Sequence, residues 1–237
     1  MQATWLHVLS WVMVALGLAS GAFVAWDLSR RQPPKMAVMR YVWPINALWG
    51  GVFGIWAYWQ IGRMPARAVQ PGASSARDRG ERLGDSDGPK RPFWQKIVAA
   101  AFHCGAGCSL ADLIGPFLFL LVPFVVLGNE VFGEWTLDYF LALGIGVGFQ
   151  YGALAPMMGQ HGPHVWWRAL KVDFLSLTAW QVGMYGWMAL VIFVWIGKLH
   201  PNQIEFWFMM QIAMACGFLT AYPMNWWLVK AGIKEAM

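Results

Sequence analysis

Six stretches of this chain are apolar for the length a helix needs to cross a hydrocarbon layer roughly 30 Å thick, and that repetition constrains the fold more than any motif does. They run from about Thr4 to Trp26, Tyr41 to Ile61, Trp94 to Leu127, Trp135 to Met158, Ala169 to Ile196 and Gln203 to Val229. In lipid each segment must satisfy its own backbone polar groups, which a helix does. The expected fold is therefore all-α, a polytopic membrane helix bundle of about six transmembrane helices whose first partner is the lipid bilayer. Of the 237 residues 58% are hydrophobic and 12% charged, about half the charged share of soluble domains, so little chain remains for a soluble domain. From Arg63 to Pro92 the composition changes to Pro, Gly, Ser, Ala, Arg and Asp with no apolar periodicity. Such a stretch has no face to bury and reads as a disordered linker. It divides the chain into a two-helix membrane segment at 1–62, a basic linker at 63–92 and a four-helix membrane core at 93–237.

The formal charge of +5 comes from Lys and Arg gathered in short loops beside apolar spans. That is the pattern of cytoplasmic loops and not of a nucleic-acid surface, so no nucleic-acid partner is expected. With the linker inside, Arg168, Lys171, Lys230 and Lys234 also fall inside, and the Glu130 and Glu134 loop falls outside. One loop conflicts. Strict alternation puts Arg30, Arg31, Lys35 and Arg40 outside, against the rule. No Lys or Arg precedes the first apolar run, so that run reads as an uncleaved span and not a signal peptide.

The densest cluster of ligand-type residues lies within the third run, at His103, Cys104, Cys108 and Asp112. On a helix, Cys104, Cys108 and Asp112 fall at i, i+4 and i+8, a single stripe with neighbouring Cβ atoms roughly 5–6 Å apart. Two thiolates at that spacing can close on one soft cation such as Cu(I). His103 is turned about 100° away and flanks the stripe. Gly105 and Gly107 allow a second helix to approach closely. In the fifth run Asp173, Ser176 and Gln181 share a face, and the sixth closes with Met224 and Asn225. With the linker inside, Cys104, Cys108, Met157, Asp173, Met224 and Asn225 fall toward one side of the membrane, where they can converge; with His103 beside the stripe and Asp112 one turn deeper, Cys104, Cys108, His103, Asp112, Asp173 and Met224 form the candidate metal set.

Val42-Trp43-Pro44, the His103 to Gly115 stretch, Ala155-Pro156-Met157, Lys171 to Gln181, Gly183 to Met188 and Tyr222 to Leu228 are similar to a bacterial membrane family known as domain of unknown function 4396. The resemblance implies a multi-pass protein of the bacterial cytoplasmic membrane and implies no activity. Three function classes stay open at this stage. One is binding or transport of a soft metal ion; another is a membrane thiol redox protein cycling Cys104 and Cys108; the third is a non-catalytic assembly or scaffold subunit, as a homo-oligomer or with a membrane-protein partner. No Ser-His-Asp arrangement, HExxH or phosphate loop is visible, so no enzyme is expected.

Overall fold

The computed structural model describes residues 4–32, 34, 36–64, 92–159 and 161–234, apart from the side chains of 156–158. Six helices occur among the described residues: α1 (Thr4–Ser29), α2 (Met39–Ala57, continued by a π-helical turn at Tyr58–Gly62), α3 (Phe93–Leu121), α4 (Glu130–Met158), α5 (Pro163–Leu190, continued by a π-helical turn at Val191–Trp195) and α6 (Ile204–Lys230). Most of the linker, residues 65–91, lies outside the described residues. Five of the helices are long and apolar enough to cross a membrane: α1, α3, α4, α5 and α6.

The second helix does something else. Gly51 has φ +51° and ψ −127°, a conformation open to glycine, and the chain folds back there. Residues placed symmetrically about Gly50 and Gly51 then meet. A Cβ on Gly54 would lie 2.8 Å from the Ala47 Cα, and the Trp43 and Tyr58 rings sit edge to face at 6.0 Å. α2 is thus a re-entrant hairpin with both ends on one side. At those ends the Asp27 carboxylate accepts from Tyr58 Oη at 2.7 Å and Arg31 Nε at 2.6 Å, with Arg63 Nε at 3.4 Å. Its apex packs on Gly17 and Gly21 of α1, ten residues from Asp27 at the most, or roughly 15 Å down a helix and half the bilayer. Bare backbone at that depth needs a protein partner. Gln211 of α6 supplies it, donating from Nε2 to the Leu48 carbonyl at 2.8 Å.

The fold-back removes the charge conflict. Alternation across six spans would set the Arg30–Arg40 segment opposite the linker, whereas the hairpin returns it to the linker side. Four basic residues lie over tryptophan rings along that side: Arg30 on Trp26, Arg63 on Trp59, Lys171 on Trp167 and Lys230 on Trp226, with 4.1–5.7 Å to the ring centroids. Rings at the interface with their cations reaching toward water mark where the hydrocarbon ends.

α3 is the axis of the bundle. Its small residues bring other helices close: a Cβ on Gly107 would lie 2.9 Å from the Gly146 Cα of α4, and Gly105 lies under the Trp180 ring of α5. The expected run to Leu127 ends six residues early, at Leu121. Pro123 has no N–H to give and disfavours helical geometry at Val122, which has φ −135°.

Candidate functional site

Cys104, Cys108 and Asp112 form the expected stripe, and it faces the interior: both thiols are fully buried and Asp112 is 4% exposed. Neither cysteine is in a disulfide. Each end of the stripe meets a different cluster.

At the linker-side end, Cys104 Sγ lies 2.8 Å from Asp173 Oδ1 and 2.9 Å from Ser176 Oγ, both on α5. Asn225 of α6 donates from Nδ2 to Ser176 Oγ at 2.7 Å. The fifth member comes from beyond α6. Gly232, at φ +69°, terminates the helix in a left-handed turn, and the Lys234 N–H reaches back to the Leu228 carbonyl at 3.2 Å. That turn sends the Lys234 side chain back into the bundle, where it is 2% exposed. Its ammonium donates to Asn225 Oδ1 at 2.8 Å and to Cys104 Sγ at 3.1 Å. A positive charge therefore already rests on this sulfur. Asp173 Oδ2 has no hydrogen-bond partner among the described residues and faces Gly146, where any side chain would collide with it.

Cys108 sits midway, in the apolar core with Ala142 of α4 and Leu177 and Trp180 of α5. One turn further on, the Asp112 carboxyl is in hydrogen-bonding contact with that of Asp138 on α4. Asp138 Oδ2 accepts from Tyr185 Oη at 2.9 Å and Gln181 Nε2 at 3.4 Å. The two helices keep register: eight residues separate Cys104 from Asp112, and eight separate Asp173 from Gln181, roughly 12 Å along each axis. The result is a column of ionisable groups through the bundle, from Lys234 through Asp173, Cys104, Cys108 and Asp112 to Asp138. Glu134 and Lys198 line a cavity beyond it.

Two members of the expected metal set are not on this column. His103 is fully buried but turned toward Phe149, 6.3 Å between centroids, and neither ring nitrogen has a partner among the described residues. Met224 lines an outward-facing pocket with Leu175, Thr220 and Trp227, and its neighbour Asn225 points inward instead. Among the described residues no three His, Cys, Asp or Glu side chains converge to hold a metal ion. Asp138 and Lys234 join the column without having been singled out in the sequence. Asp138 carried a usable signal, as a lone carboxylate inside an apolar run; Lys234 read as an ordinary loop charge.

A second cavity, about 290 Å³, lies beneath the hairpin apex between α1, α3 and α6, and Asp112 and Gln211 are among its few polar walls. Asp112 thus borders both cavities.

A family model, Domain of unknown function (DUF4396), matches residues 93–234, from the first residue of α3 to Lys234. No curated protein and no solved structure matches the chain.

Proposed function

The chain belongs to that family, whose name assigns no activity, and from the geometry we propose that it binds a soft monovalent cation of the Cu(I) class between Cys104 and Cys108 and passes it along the stripe toward Asp112. One observation carries the reading: two unbridged, fully buried thiols lie on one stripe of the central helix, and a monovalent cation, the Lys234 ammonium, rests 3.1 Å from the first of them. Buried ionisable groups within a membrane bundle are costly and mark ion pathways by default. A sulfur pair selects soft ions, and two ligands suffice for a monovalent one. The ion would take the place of the ammonium, with Asp173 balancing its charge. Re-entrant backbone held at half-depth accompanies translocation pathways in other membrane proteins, and the α2 hairpin supplies it here.

In this reading the protein lies in the bacterial cytoplasmic membrane with the Arg30–Arg40 loop, the linker and the C-terminal turn inside. Every Lys and Arg cluster then obeys the positive-inside rule.

Competition titration of the detergent-purified chain with a Cu(I) chelator tests the binding. Wild type should hold about one ion per chain. Cys104→Ser with Cys108→Ser should weaken binding by more than the roughly 10–100-fold that even outer-shell changes cost, because a hydroxyl is a hard ligand that stays protonated. Equal affinity in the two proteins would put the ion elsewhere and favour a scaffold built only on packing.

A further inference from the structure

We propose that the cavity beneath the hairpin apex is a binding site, open to the lipid, for a lipid-soluble alcohol or phenol whose hydroxyl seats against Asp112. The inference does not rest on the soft-ion reading, because neither Cys104 nor Cys108 is in the wall of this cavity.

A hairpin that turns back at half-depth fills only part of the space between its neighbours. α1 and α3 each pack on α2 and on α6 and make little contact with each other, so a gap is left between them past the apex. Ile45, Leu48 and Trp49 of the hairpin border that gap, and α1, α3 and α6 supply its other walls. Its volume of about 290 Å³ is close to the roughly 300 Å³ at which small-molecule sites begin. The walls are graded. Leu18 and Leu113 are 60% and 40% exposed on membrane-spanning helices, so the mouth opens into hydrocarbon and not to water, whereas Ser109 and Asp112 are 6% and 4% exposed. A molecule entering from the lipid meets the polar groups last.

Two side chains in the wall each carry an oxygen with no hydrogen-bond partner among the described residues, Asp112 Oδ2 and Gln211 Oε1. The Gln211 amide cannot turn over to relieve this, because its Nε2 donates to the Leu48 carbonyl at 2.8 Å and lies 3.4 Å from that of Met13, and carbonyls only accept. A buried acceptor without a donor is costly. The occupant must therefore bring a donor on an apolar body. A lipid acyl chain brings no donor. Water brings donors but finds too few polar partners along walls of Val, Leu, Ile and Trp. An ammonium carries three hydrogens and a charge, more than two acceptors set in hydrocarbon can satisfy. A hydroxyl on an apolar body suits both the mouth and the polar wall.

The test is photolabelling of the full chain in lipid nanodiscs with a long-chain primary alcohol that carries a diazirine, beside the methyl ether of the same molecule, with labelled peptides read by mass spectrometry. Wild type should label saturably on the α3 and α6 walls, and half-saturation should come at a concentration at least about tenfold lower for the alcohol than for the ether, the worth of one strong hydrogen bond. Asp112→Leu removes the acceptor and keeps a wall, so the alcohol should fall to the affinity of the ether while the ether still binds, a pattern that loss of the fold does not give. Leu18→Trp, at the lipid-facing mouth, should weaken both probes. The Cys104→Ser, Cys108→Ser double variant should label as wild type does, which separates this site from the soft-ion site. Labelling of folded wild type that does not saturate overturns the proposal. So does equal half-saturation by alcohol and ether, which would make the cavity a seat for lipid acyl chains, or a preference for the alcohol that survives Asp112→Leu.

Discussion

A lysine ammonium resting 3.1 Å from a cysteine sulfur inside an apolar bundle ties the turn that follows α6 to the third helix. Lys234→Met removes the donor to Asn225 Oδ1 and Cys104 Sγ while keeping the stem. We expect it to destabilise the detergent-solubilised protein by about 2 kcal/mol, as charge-assisted hydrogen bonds do. Lys230→Met, at the exposed end of α6 over Trp226, should cost no more than the roughly 0.5–1 kcal/mol of an exposed cation–π contact. Thermal unfolding of the two variants checks the contrast; equal shifts would mean that Lys234 is not held in the core. The cysteines give a second check. Cys216 is partly exposed, whereas Cys104 and Cys108 are fully buried, so native protein treated with N-ethylmaleimide should gain one adduct by mass spectrometry and denatured protein three. At this scale the Cys104, Cys108 and Asp112 stripe was legible from helical spacing alone. Lys234 was not, because its burial depends on the turn at Gly232, beyond the end of the helix, and Met224 lies off the column because helical register turns its neighbour Asn225 inward instead.

Among the elements, the α2 hairpin depends on one backbone conformation. Gly51→Ala places a side chain where φ is +51°, and we expect a loss of about 1–3 kcal/mol, as for other residues forced into that region. Gly50→Ala is the control, since nothing lies within 4 Å of its added Cβ. Similar stability for both variants would argue against the fold-back. The apolar run Tyr41 to Ile61 could not reveal it, because a hairpin and a full span of that length have the same composition. The Gly50-Gly51 pair was visible, but glycines also serve close helix packing, and only the contacts of Gly54 with Ala47 and of Trp43 with Tyr58 decide between the two. Packing glycines carry their own expectation. Gly107→Leu would force α3 away from Gly146 and should cost at least the roughly 1–3 kcal/mol typical of overpacking, read as a lower melting temperature.

For the whole molecule, the fold-back sets the distribution of charge. A cysteine at the exposed Ala37, between α1 and the hairpin, should react with an impermeant maleimide from the same side as one at the exposed Lys171, and a cysteine at the exposed Leu127 between α3 and α4 from the opposite side. Reaction of the Ala37 and Leu127 positions from one side would restore simple alternation. The helical bundle itself was legible because each apolar run is long enough to need a helix in lipid. The joining of its buried charges into one column was not, since Asp112 and Asp138 lie 26 residues apart and meet where α3 packs closely on α4, at Gly107 against Gly146 and at Gly115 against Asp138. The central claim is that this column carries a soft cation across the membrane. Uptake of Ag(I), a stable surrogate for Cu(I), into proteoliposomes tests it most directly: wild type should give saturable uptake above protein-free vesicles, and the Cys104→Ser, Cys108→Ser double variant should fall to the protein-free level. Wild-type uptake no faster than that of protein-free vesicles, or undiminished uptake by the double variant, would contradict it.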